Sequence, residues 1–157
     1  MNRPAMKARV TKGALLVALS LLIVALATTL APGLRAEPPK AAAHRVVLEL
    51  TSGDAQAWEG VLNNVENVQK ALGRVSVEVV AHGDGLAMLT SSKNGAVRER
   101  MKQNADGGVV FAACENTMKR KNVKKEDLVP FAKPVDSGVA EVVRKQEAGW
   151  SYLRAGP

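Results

Sequence analysis

Three short apolar runs, Arg45 to Leu50, Val75 to Ala81 and Gly107 to Ala113, are separated by stretches whose apolar residues return every three or four positions. Strands that alternate with helices in this way pair in parallel, each helix serving as the crossover between one strand and the next. The third run, GGVVFAA, has no polar side chain, as expected of a strand covered on both faces. Asp54 stands where a helix needs a side-chain cap, and Trp58, Val61, Leu62, Val65, Val68 and Leu72 carry one apolar face from about Ala55 to Gly73, which ends the helix. A second helix is predicted over Leu86 to Leu89, with a break at Ser91 to Gly95 and a resumption from Ala96 to Asn104. Cys114 to Lys121 reads as a short helix and Asn122 to Asp127 as a polar turn. Leu128 to Val135 holds a fourth strand, at an edge or irregular because Pro130 and Pro134 cannot donate to a ladder. Ser137 caps a last helix, Gly138 to Ala148, and Trp150 to Arg154 closes the chain as a fifth strand. The expected fold is a three-layer α/β/α domain over residues 44–157, with a mostly parallel central sheet of about five strands.

What precedes this domain has a different composition. Ala14 to Leu30 is an uncharged run of about 17 residues that follows Arg3, Lys7, Arg9 and Lys12. A basic start, an apolar middle and a small-residue exit near Ala36 describe a secretory signal peptide over residues 1–36. Leu34 departs from the small residue preferred before cleavage, and the run is nearly long enough to span a bilayer. An uncleaved membrane anchor is therefore the alternative. Both readings send the domain across the membrane, to a periplasmic location, because the basic flank stays inside. Glu37 to Ala43, with Pro38 and Pro39, reads as a linker. Five of the basic residues lie in the first 36 positions, so the formal charge of +7 falls to +2 for the remainder. That removes the main support for nucleic acid as a partner.

Ligands of a parallel sheet gather at the carboxyl ends of its strands. Three segments fall there: Thr51 to Asp54, His82 to Gly85, and Cys114 to Thr117. Cys114 is the chain's one cysteine, which excludes an intramolecular disulfide and a paired-cysteine redox site. It stands where a strand hands over to a helix, a position that stabilises a thiolate, although Glu115 beside it opposes this. The alternative is a small inert core residue. His82 is a proton donor or acceptor beside the thiol if the two strands are neighbours. Otherwise it ends its strand and bonds a loop carbonyl. Asp84 reads as a turn residue, the glycines of His82-Gly83-Asp84-Gly85 do not form a dinucleotide fingerprint, and no metal-site spacing is present, so neither cofactor nor metal is expected. The basic cluster Lys119 to Lys125 reads as a solvated face, and Trp58, Trp150 and Tyr152 as core or interface residues.

The segments Val79 to Leu86, Gly108 to Met118, Glu126 to Pro130, Val135 to Val139 and Arg144 to Tyr152, taken together, resemble the DsrE/DsrF-like proteins. The resemblance runs from Arg45 to Arg154. It implies a three-layer fold with a parallel sheet and frequent homo-oligomers. In the better-known relatives a cysteine after a sheet strand carries persulfide sulfur in sulfur oxidation or tRNA thiolation relays, and Cys114 occupies the like position. The export signal departs from those cytoplasmic relays, so the tRNA role does not transfer. The resulting expectation is a sulfur carrier or sulfur-binding protein of the cell envelope, with a sulfur donor or acceptor protein as partner. A non-catalytic oligomeric binding module, with Cys114 merely packed, is the alternative, and a conventional enzyme is expected less than either.

Overall fold

Asp54 accepts a hydrogen bond from the Gln56 amide at 3.0 Å and so starts the first helix, α1 (Ala55–Leu72). The helix ends at Gly73, whose φ of 68° suits a residue without a Cβ. These details come from a computed structural model, which describes residues 44–90 and 95–155. The expected leader and linker lie outside those residues. Around α1 stand β1 (His44–Leu50) and β2 (Val75–Ala81). There follow a 3-10 turn (Gly83–Met88), α2 (Gly95–Asp106), β3 (Val110–Cys114) and α3 (Glu115–Lys121). A shorter 3-10 turn (Lys125–Asp127), β4 (Ala132–Val135), α4 (Gly138–Glu147) and β5 (Ser151–Ala155) complete the described chain.

The five strands form one sheet in the order β4-β3-β2-β1-β5, and every pairing is parallel. One face, with Leu48, Val79 and Phe111, packs beneath Trp58, Val61, Leu62 and Val65 of α1 and Val97 and Met101 of α2. The opposite face, with Val47, Val80 and Ala112, packs against Val142 of α4. Each fully buried aliphatic or aromatic side chain contributes about 1.5–3 kcal/mol of transfer free energy to holding these layers together. The second face is also charged. Glu78, buried in β2, lies 2.6 Å from the Lys145 amine, which also sits 4.4 Å over the Trp150 ring. Burial pushes the Glu78 carboxyl above its usual range, with Lys145 opposing and Glu141 assisting the shift.

Several expectations need correction: the fourth strand starts at Ala132 rather than Leu128, and the helix expected over Leu86 to Leu89 is a 3-10 turn over Gly83–Met88. The third strand begins at Val110 rather than Gly107, because Gly107 and Gly108 spend their amides on closing α2, donating to Gln103 and Ala105. Of the two places expected for Tyr152, core or interface, the core is excluded: it is 39% exposed on the edge strand β5. Among the described residues no helix is long and apolar enough to cross a membrane.

Candidate functional site

Sheet register assembles the site. Ala81 of β2 pairs with Ala113 of β3, so the next residues, His82 and Cys114, are neighbours at the carboxyl edge. Strand alternation turns both toward the face that α4 covers. The first residue of α4 closes over them. A Cβ added to Gly138 would stand 2.9 Å from the His82 Cβ and 3.2 Å from the Cys114 Cβ, so only glycine lets the helix start this close. Ser137 holds that start, its hydroxyl accepting from the Ala140 amide at 3.4 Å.

Cys114 is 5% exposed. Burial pushes its thiol up. Hydrogen bonds from the Thr117 hydroxyl and from the backbone amides of Gly138, Thr117 and Asn116 outweigh that, and the net displacement is downward. Donors fixed in place around a sulfur favour the anion, which is the nucleophilic form. The Thr117 hydroxyl is itself held, accepting from the Gly83 amide at 3.1 Å. Two of the three segments expected at the carboxyl edge thus meet, joined by Thr117. The third, Thr51 to Asp54, reaches the His82 turn through backbone, the Thr51 carbonyl accepting from the Gly85 amide at 2.9 Å, while the Ser52 carbonyl accepts from the Trp58 indole at 3.0 Å.

His82 does not bond a loop carbonyl through its ring. Its Nε2 lies 2.7 Å from the Glu49 Oε1 of β1. The other carboxylate oxygen of Glu49 accepts from the Tyr152 hydroxyl at 2.6 Å. Burial raises the Glu49 carboxyl, but the bonds from Tyr152 and His82, with the charges of His82 and Arg154, bring it below its ordinary range. Thr117 belongs to a segment expected at the carboxyl edge, whereas nothing in the sequence marks Glu49, Tyr152 and Gly138 as site residues. Asp84, expected as a turn residue, pairs with Lys121 at 2.7 Å and ties the His82 turn to the end of α3. No cluster able to hold a metal ion occurs among the described residues. Two surface cavities, one beside α2 and one at the amino ends of β3 and β4, share Pro130 and Phe131 and are not lined by Cys114 or His82.

Comparison with known proteins follows the same frame. The model of the DsrE/DsrF-like family matches residues 46–155. The chain belongs to the DsrE/DsrF-like family. A protein of unknown function from Methanobacterium thermoautotrophicum is 32% identical, with a TM-score of 0.67 over 71% of this chain and 98% of that one. The ychN protein of E. coli shares the fold at a TM-score of 0.54 and 9% identity, over 71% of this chain and 97% of its own. No curated protein matches the chain. In this DsrE/DsrF-like domain, Cys114 ends β3 and stands as the residue before α3.

Proposed function

We propose that this DsrE/DsrF-like protein carries sulfane sulfur as a persulfide on Cys114, and that it does so in the cell envelope. The observation that carries the reading is the place of the one thiol: Cys114 ends β3, immediately precedes α3 and abuts Gly138 at the start of α4, where the Thr117 hydroxyl and the amides of Asn116, Thr117 and Gly138 draw its pKa down. Such a cradle favours a thiolate for attack on sulfur and suits the terminal anion of a persulfide once formed. Family membership supports the same chemistry, since better-known relatives hold persulfide on a cysteine after a strand. The envelope location rests on the sequence of residues 1–36, a basic flank followed by an uncharged run. A sulfur donor or acceptor protein is the proposed partner, and a second copy of the chain the proposed assembly mate.

The test is intact-protein and peptide mass spectrometry after incubation with polysulfide, thiosulfate and alkyl persulfide donors. Sulfur-atom additions on the Cys114 peptide, absent in Cys114→Ser, are expected. A thiol left unmodified by every donor would remove the carrier reading. The near-complete burial of Cys114 favours a second reading, a binding module in which the thiol only packs. That reading requires slow alkylation of the folded protein and full function in Cys114→Ser. Fast alkylation with a depressed thiol pKa excludes it.

A further inference from the structure

Glu49 is an acidic residue in β1, between β2 and the edge strand β5, and it has both carboxylate oxygens committed. Oε1 takes His82 of β2 at 2.7 Å, and Oε2 takes Tyr152 of β5 at 2.6 Å. His82 is fixed elsewhere too. Its amide donates to the Leu50 carbonyl at 3.1 Å, and its Cβ and Cδ2 bear on Gly138, which also abuts Cys114. A carboxylate on one ring nitrogen of a histidine sets its tautomer, leaving the other nitrogen to exchange a proton. The strand order reverses between β1 and β5, so Glu49 and Tyr152 flank the switch point where open parallel sheets form their crevice.

We infer that Glu49, braced by Tyr152, is the positioning residue that holds His82 as proton donor to the thiolate released when Cys114 takes sulfur. This inference rests on the carrier reading and adds to it the step that needs a proton. The Cys114 thiolate attacks the outer sulfur of a donor persulfide, R–S–SH. A new S–S bond forms to Cys114 and the donor's S–S bond breaks. The departing R–S⁻ accepts the proton of the His82 imidazolium, which gives R–SH, neutral imidazole and Cys114–S–SH. The more acidic terminal S–H then returns a proton to His82, so the site ends with a persulfide anion and an imidazolium. No net oxidation occurs, because the sulfane sulfur moves from one sulfur to another.

A proton donor matters in proportion to how poor the leaving thiolate is. The experiment therefore compares sulfur loading of Cys114 from alkyl persulfides, whose thiols are weak acids, with loading from aryl persulfides, whose thiols are stronger acids. Iodoacetamide alkylation, which expels iodide and needs no proton, is the reference reaction. Glu49→Gln is expected to slow loading from alkyl donors on the order of tenfold, with little change for aryl donors or alkylation. Tyr152→Phe, at an exposed position, is expected to show the same selectivity at a smaller size, and it serves alone if Glu49→Gln does not fold. Equal loss for all three reagents would mean a structural role and overturn the inference. So would wild-type loading rates from alkyl donors in both variants. If wild-type protein takes no sulfur from any donor, the carrier reading itself falls. If it loads but the variants match it, only the role of Glu49 falls.

Discussion

At the scale of single residues, the contact between Glu49 and Tyr152 has its own readout, because Tyr152 is the chain's one tyrosine. Its hydroxyl donates to a carboxylate at 2.6 Å, and ionisation would leave two anions in contact. The Glu49 bond, then burial, then the Glu49 charge push the phenol above its ordinary range. An ultraviolet absorbance titration should thus show a single phenolate transition displaced upward from the usual value of about 10. Glu49→Gln should move it back down, and an unmoved transition would show that the pair does not form in solution. The sequence carried half of this site. Cys114 and His82 are legible because each follows an apolar run, where a parallel sheet collects its chemistry. Glu49 carried a weaker signal, a charge inside a run otherwise fit for a covered strand, and Glu78 in β2 carries the same signal for a different pairing, with Lys145. Tyr152 carried none, since its role depends on β5 lying beside β1, and spacing along the chain does not determine that neighbour.

At the scale of elements, local chemistry was the better guide. The limits of α1 follow from Asp54 and Gly73, and those of β2 from its apolar run, because cap and turn residues act through bonds to their own neighbours. The start of β3 is not legible in the sequence because a glycine pair can extend a strand or close a helix, and only the amide partners decide between them. Two glycines test this reading in opposite directions. Gly60 lies within α1, with nothing within 4 Å of an added Cβ. Gly60→Ala should stabilise the protein by about 0.5–1 kcal/mol in urea unfolding, through helix propensity and a less flexible unfolded chain. Gly85 sits in the turn after β2, where an added Cβ would stand 2.3 Å from the Leu50 carbonyl oxygen. Backbone must move to admit it, so Gly85→Ala should cost roughly 1–3 kcal/mol or more. If Gly85→Ala unfolds at the wild-type urea midpoint, the turn does not approach β1 in this way.

At the scale of the whole molecule, the site draws on four strands and the start of α4, so the state of one thiol is linked to the stability of the fold. The folded Cys114 has a depressed pKa, and the unfolded chain has the ordinary thiol value of about 8.5. Between those two values the folded state has released a proton that the unfolded state still holds. Raising the pH through that window therefore favours folding, and the gain is lost as the pH falls through the folded value. Cys114→Ser lacks this titration but keeps the backbone donors and nearly the same volume. The difference in unfolding free energy between wild type and Cys114→Ser should accordingly grow as the pH rises from the folded value towards about 8.5, and level off above it. Groups such as Glu78 and Glu49 titrate in both proteins and cancel in the difference. Urea unfolding of both proteins across that range measures the effect directly. A difference that stays flat would mean the donors from Asn116, Thr117 and Gly138 do not stabilise a thiolate. It would then leave the thiol as a packed side chain, because the same donors that would hold a persulfide must first hold the sulfur anion.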